Sequence, residues 1–360
     1  MTESAPSHNS YPLRPVLERG LDRGLYDGAV VLVGSSAGVD GELTVGDRNT
    51  AGDPVTSETA FDVASLTKVV ATTTIAARLV EAGTLTLSST MSDHVDELQG
   101  TPRGEIPLRS LLTHTSGLPP YKAFPFGWES RSAVLESLFD SPLSVLADPG
   151  EWHVYSDLNF VFLGEVLRRV TGDSLATLFE RHVTEPLGLE ETTLGSVSTE
   201  NVAATRDRRW EGRVLEGEPH DYLARAMEGE SGNAGVFSTG RDLATVARML
   251  LCGGEFEGDQ YLSPGMVERL RSDALESMEA RQGLGWKLGD ADTPGTAWSA
   301  EAFGHTGFTG TSMWMDPRAD RFAVVLTNHV LAMDPDGSLA SFRRRVHDVA
   351  AATDSSADSP

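Results

Sequence analysis

FDVASLTKVV, residues 61–70, sets a serine and a lysine three positions apart, Ser65 and Lys68. On a helix that spacing places both side chains on one face. The continuation, VVATTTIAARLVEAG (69–83), is apolar and helix-compatible up to Gly83. The pattern predicts a largely buried helix with Ser65 at or near its first turn. In that position the hydroxyl has an amine beside it and free backbone N–H groups around it. The helix dipole and a dry setting are expected to push Lys68 toward its neutral, basic form. A serine so placed can act as a nucleophile without a Ser-His-Asp triad. The chain has only three lysines, Lys68, Lys122 and Lys287, and serine is common, so the pair gains its force from the rest of the sequence.

On the N-terminal side, Leu13, Val16, Leu17, Leu21 and Leu25 recur at helical spacing and predict an amphipathic helix. GAVVLVGSS (28–36) and GELTVGD (41–47) read as two strands of a hairpin. On the C-terminal side, from about 85 to 234, helices alternate with long loops: PLRSLLTH, SAVLESLF, DLNFVFLGEVLRRVTG and SLATLFERHV, separated by Pro and Gly. Residues 195–231 are polar with little apolar periodicity and read as a long loop beside a cleft, or a lid. A helix follows GVFSTGRDLA (235–244), capped by Ser238 or Thr239 with Asp242 in its first turn. Strands then return in RQGLGWKLG, EAFGHTG, TGTSMWMDP and RFAVVLTN, the last two joined by a tight turn at Pro317–Asp320. A final helix covers 338–351.

Strands at both ends with helices between them give an α+β class. One antiparallel sheet is built from both termini, flanked by helices, with a mostly helical subdomain inserted. The expected single domain is 12–352, its sheet part 12–84 and 235–352 and its helical part 85–234. Residues 353–360 read as a disordered tail.

Composition narrows the function. The 360-residue chain carries a net charge of −24, which disfavours nucleic acid and anionic membranes as partners. A single cysteine, Cys252, excludes an internal disulfide and a Cys-cluster metal site, and reads as a plain buried residue. No signal-peptide layout and no run of 18 apolar residues occurs, so a soluble cytoplasmic protein is expected. No His-Glu set has metal-ligand spacing, and no metal or cofactor is expected.

Two further clusters bear on chemistry. PGEWHVYSDLNFVFLG (149–164) puts Tyr155 and Asp157 just before a helix, with Asp157 a good N-cap. FGHTGFTG (303–310) puts His305, Thr306 and Gly307 at the end of a strand, where a glycine lets a ligand lie along the backbone. Taken alone, each is as easily a capping Asp with an ordinary Tyr, or a strand turn with a surface His.

Ser-x-x-Lys, then Tyr-x-Asn or a variant, then Lys-Thr-Gly or His-Thr-Gly on a strand resembles the three-motif set of the serine β-lactamase and penicillin-binding-protein superfamily. The chain looks closest to its class C β-lactamase-like branch, which includes DD-peptidases and esterases. LLTHTSGLP (111–119), PGEWHVYSDLNF (149–160) and GVFSTGRDLA (235–244) also resemble segments of that branch, in order, over about 12–350. The resemblance implies that Ser65 is acylated, that Lys68 takes its proton, and that Tyr155 relays protons to the leaving group and activates water. It implies an oxyanion hole from the backbone N–H groups of Ser65 and Phe308. It also implies substrate binding by Asp157, His305, Thr306 and Gly307, with His305 in the place of a strand lysine.

Two departures matter. Asp157 stands where Asn is usual, and His305 is neutral-prone at pH 7. Both weaken the case for a carboxylate-bearing β-lactam. The favoured function is a serine hydrolase of a small ester or amide, with esterase preferred. The alternatives are a class C-like β-lactamase or D-alanyl-D-alanine carboxypeptidase, and a non-catalytic ligand-binding protein of the same fold. Oligomeric state is not readable. His114 reads as a loop-fixing residue, His220 and Asp221 as cleft or cap residues, and Trp128, Trp152 and Trp314 as candidates for a pocket wall or for core.

Overall fold

The computed structural model describes residues 12–120, 130–140, 145–198, 200–207, 212–275, 278–289, 294–332 and 338–352. Lys122, Trp128 and the tail 353–360 lie outside them. Six antiparallel strands form the main sheet, in the order Lys287–Leu288, Phe303–Thr306, Ser312–Asp316, Arg321–Thr327, Gly28–Ser35, Gly38–Gly46. Both termini therefore build one sheet, as the sequence predicts. The contact that closes it pairs Gly28–Ser35 with Arg321–Thr327, Val31 opposite Val325.

The strand Gly28–Ser35 is buried on both faces because its alternate residues feed two cores. Val30 and Leu32 join the large core under the nucleophile helix; Ala29, Val31 and Val33 join a smaller one. That smaller core is covered by the helices Arg14–Asp22 and Leu339–Ala352, through Val16, Leu17, Phe342 and Val346. On the other face lies the helix Gly240–Leu251, N-capped by Thr239, whose side chain accepts from the Asp242 N–H. The helical part packs the long helix Asp157–Thr171 against the same large core through Phe160, Leu163 and Val166. Among the described residues, no helix is long and apolar enough to cross a membrane.

Three expectations change. Residues 195–231 are not a featureless lid: the hairpin Thr205–Asp207/Arg213–Leu215 and the helix Tyr222–Ala226 lie within them. These elements are too short to show periodicity. Cys252 is exposed, because it falls on the C-cap of Gly240–Leu251, two residues past Leu250, the last buried residue of the helix. The strand read across RQGLGWKLG shrinks to Lys287–Leu288.

The smaller core buries a histidine completely. His347 Nε2 meets Ser312 Oγ at 2.9 Å, and Trp298 Nε1 donates to the His347 carbonyl at 2.9 Å. Burial, reinforced by the Arg343 charge, depresses the imidazole to about 3. In the unfolded chain it titrates near 6.5. Its folded pKa is therefore the lower one, so its contribution to stability is present above about pH 6.5 and fades as pH falls toward about 3. At about pH 5 the loss amounts to roughly 2 kcal/mol. His347→Gln should therefore flatten the fall of Tm between about pH 7 and pH 5, measured by thermal melts. An unchanged slope would mean that other groups set the acid sensitivity.

Candidate active site

The segment carrying Ser65 is less regular than a plain α-helix. Ala64–Leu66 is a 3-10 turn, Lys68–Thr73 is π-helical, and α-helix runs only from Thr74 to Glu81. Ala64 holds a left-handed φ of 48°, which strains a residue with a Cβ. Its N–H donates to Asp62 Oδ1 at 2.8 Å, and the Asp62 carboxylate also accepts from the His220 N–H at 2.6 Å. The strained turn is thus held by a buried carboxyl. Widened helix turns of this kind recur at functional sites.

Lys68 is fully buried, and its Nζ is hydrogen-bonded to Tyr155 among other partners. It donates to Ser65 Oγ at 2.9 Å and to the Asn233 carbonyl at 3.0 Å, and pairs with Asp157 Oδ1 at 2.7 Å. Burial by itself pushes this amine down, but the Asp157 carboxylate and the Tyr155 phenol outweigh it, so the pKa ends above the ordinary lysine value. The expectation of a neutral Lys68 is therefore overturned. The physical reason is Asp157, whose charge more than offsets desolvation.

Asp157 also departs from its expected part. The N-cap position of Asp157–Thr171 belongs to Ser156, and Asp157 is the first helical residue, its carboxylate turned to Lys68. Tyr155 sits just before this helix. Its ring lies 4.5 Å from that of His114 and 5.9 Å from that of His305, centroid to centroid. Lys68 Nζ is 5.2 Å from the Tyr155 centroid and Lys287 Nζ 5.6 Å.

His114 has the loop-fixing role expected of it. It is buried, with a φ of 56°, and its Nδ1 accepts from the Ser156 N–H at 3.1 Å. That bond fixes the tautomer and aims the ring at Tyr155.

His305 is not a surface residue. It is 1% exposed, and its Nδ1 donates to the Thr306 carbonyl at 2.9 Å. Burial, with the charges of Lys287 and Lys68, holds it neutral, its pKa well below the usual imidazole value. It backs the Tyr155 ring rather than forming the cavity wall.

Gly307 needs to be glycine. A Cβ there would lie 2.1 Å from Thr311 Oγ1 and 2.4 Å from the Val63 carbonyl. This close approach lets the strand end reach the nucleophile turn. Thr309 Oγ1 donates to the Asp62 carbonyl and Thr311 Oγ1 to the Val63 carbonyl, at 2.7 and 3.0 Å. From the far side, Arg343 donates to the carbonyls of Gly307, Gly310 and Thr311. The segment that carries the Phe308 N–H is thereby fastened to the turn that carries Ser65.

These parts surround a cavity of about 640 Å³, whose wall includes Ser65, Tyr155, Asp157, Asp221, Gly307 and Phe308. Phe308 is 69% exposed and stacks on His220 at 5.4 Å. His220 belongs to the wall as well. Asp221 both lines the cavity and caps the helix Tyr222–Ala226 by accepting from the Ala224 N–H at 2.8 Å. Its carboxyl is pushed up, first by burial and then by the nearby Asp157 charge. Thr306 is half-buried on the strand behind. Trp152 is largely exposed and Trp314 lies in the smaller core; neither lines the cavity. The proximity of Lys287 to the Tyr155 ring is not legible in the sequence, since a lone lysine on a two-residue strand carries no motif.

The model of the family described as Beta-lactamase matches residues 14–347. The chain belongs to that family. Within the Beta-lactamase family, a "Putative D-alanyl-D-alanine carboxypeptidase" of Escherichia coli (strain K12) is 31% identical over 315 residues, covering 78% of this chain and 72% of that protein. Two solved structures share the fold. "EstCE1, a hydrolase with promiscuous acyltransferase activity" superimposes with a TM-score of 0.77 at 24% identity, over 95% of this chain and 98% of the other. "A class C beta-lactamase" gives 0.78 at 19% identity, over 98% and 97%. The chain is thus a serine hydrolase of the β-lactamase fold, with an antiparallel sheet and flanking helices as the sequence predicts.

Proposed function

We propose that this protein hydrolyses small, carboxylate-free esters through an acyl-enzyme on Ser65. The observation that carries the reading is the contact of Ser65 Oγ with a buried Lys68 at 2.9 Å, on the wall of a cavity that Tyr155 and Phe308 also line. Ser65 Oγ attacks the ester carbonyl and forms the new C–O bond. The backbone N–H groups of Ser65 and Phe308 receive the oxyanion, each such donor worth about 3 kcal/mol in the transition state. Lys68 is an ammonium held by Asp157, so it orients the hydroxyl and supplies positive charge. The base is the Tyr155 oxygen acting as a phenolate, which takes the serine proton to become the phenol and gives it to the departing alkoxide as the C–O bond breaks, so that the phenolate is regenerated. Water then enters by the same route and releases the acid and Ser65.

The charges on the cavity wall support a substrate without a carboxylate. Among the described residues of the wall, Asp157 is paired with Lys68 and Asp207 with Arg225, while the guanidinium of Arg343 donates to backbone carbonyls. His305, in the place of a strand lysine, is neutral and buried. A substrate carboxylate would find the Arg343 guanidinium already engaged, which favours an ester without one.

A panel of p-nitrophenyl esters, D-amino-acid amides and nitrocefin, run with wild type and Ser65→Ala, tests this. Multiple turnover of the esters, lost in the variant, with slow or no nitrocefin hydrolysis is expected. Fast nitrocefin cleavage without ester turnover would place the protein among β-lactamases instead. Binding without turnover of any of them would make it a non-catalytic ligand-binding protein.

A further inference from the structure

We propose that Asp62 is a positioning residue for the oxyanion hole, its carboxylate holding the strained turn at Ala64 so that the Ser65 N–H stays available to the oxyanion; this rests on the serine-hydrolase reading above. Asp62 ends the short strand Phe61–Asp62, opposite Phe237. It is 2% exposed and absent from the cavity wall, so it acts through its neighbours rather than on substrate. The direction of the Ser65 N–H follows from rotation about the Ala64 bonds, because the peptide group on either side of Ala64 is a rigid plane. The plane before Ala64 is held at both ends. Its carbonyl, that of Val63, accepts from Thr311 Oγ1 at 3.0 Å and from the Leu66 N–H at 3.1 Å. Its N–H, that of Ala64, donates to Asp62 Oδ1 at 2.8 Å.

That bond matters because the turn is unfavourable by itself. Ala64 holds φ at 48°, a left-handed conformation. A residue with a Cβ adopts it about five to thirty times less readily than the right-handed one. A carboxylate that accepts from the N–H two residues on makes a short Asx turn, which fixes the chain locally against such a relaxation. The other oxygen of Asp62 reaches the second half of the hole. Asp62 Oδ2 accepts from the His220 N–H at 2.6 Å, and the His220 ring stacks on that of Phe308, whose N–H is the second oxyanion donor. The Asp62 carbonyl accepts from Thr309 Oγ1, one residue past Phe308, at 2.7 Å. Asp62 is thus bonded both to the turn that carries Ser65 and to the segment that carries Phe308.

Asp62→Asn keeps the shape of the side chain but sets an NH₂ donor against one of the two N–H groups. It should lower kcat for a p-nitrophenyl ester by about ten- to a hundredfold, short of the full loss of an oxyanion donor. KM should change by less than about threefold, since Asp62 does not touch substrate. Ala64→Gly removes the Cβ penalty of the left-handed turn. The loss that Asp62→Asn brings should therefore be about five- to thirtyfold smaller when Ala64→Gly is already present. A residue that only stabilised the fold would lower Tm and leave the two losses equal. Equal losses on the two backgrounds would overturn the proposal. So would a loss confined to KM, or an Asp62→Asn protein within about twofold of the wild-type kcat. If Asp62→Asn does not fold, Asp62→Ala, which sets no donor against those N–H groups, carries the same cycle. Ser65→Ala, run in parallel, separates the two levels. Turnover surviving in Ser65→Ala would remove the serine-hydrolase reading and this inference with it. Turnover lost there, with equal Asp62→Asn losses on the two backgrounds, would remove the Asp62 assignment alone.

Discussion

Ser65→Ala is expected to cut ester turnover by on the order of 10⁵-fold and to leave the fold intact. The side chain is small and half-buried on a cavity wall, so its loss opens no core void. What disappears is the atom that bonds to the acyl carbon. The residual rate comes from the oxyanion donors and from binding, neither of which uses the hydroxyl. The check is a steady-state assay with a p-nitrophenyl ester beside a thermal melt. A Tm close to wild type with activity gone is the expected pair of readings. Activity within tenfold of wild type would mean that another group is acylated.

Lys68→Met should come next in severity, lowering turnover by roughly 10³- to 10⁴-fold. Methionine fills much of the same volume in a fully buried position, so packing is largely kept. Three things are lost together: the donor to Ser65 Oγ, the donor to the Asn233 carbonyl and the counter-charge of Asp157. The orphaned Asn233 carbonyl costs about 1–3 kcal/mol of stability. Asp157 keeps 27% of its side chain exposed, so water screens part of its stranded charge. The expected signature is a rate loss far larger than the modest drop in Tm implies, read from kcat and thermal melts on the same preparation. A large drop in Tm with kcat nearly unchanged would show Lys68 to be structural.

Much of this arrangement is legible in the residues, and the illegible parts have physical causes. The hairpin Gly28–Ser35/Gly38–Gly46 and the C-terminal strands show themselves through apolar runs and turn residues, so the shared sheet follows. Ser65, Lys68 and Tyr155 are visible as spaced motifs, and the fold brings Ser65 and Tyr155 to one cavity with Lys68 bonded to Ser65 Oγ. The charge state of Lys68 is not visible, since it depends on Asp157, which the fold brings across from another helix. The same holds for His305. Its flanking glycines suggest an exposed turn, but its strand lies inside the sheet between Lys287–Leu288 and Ser312–Asp316. Cys252 shows the limit of a periodic pattern: the buried stripe ends at Leu250, two residues before it, and the C-cap faces solvent.

Peptide mapping by mass spectrometry, after labelling with a fluorophosphonate, tests the central claim most directly. The account predicts one adduct per chain, on the peptide carrying Ser65, formed in step with the loss of esterase activity and absent from Ser65→Ala. A chain that stays unlabelled, or that carries the adduct on any other residue while losing activity, would contradict it.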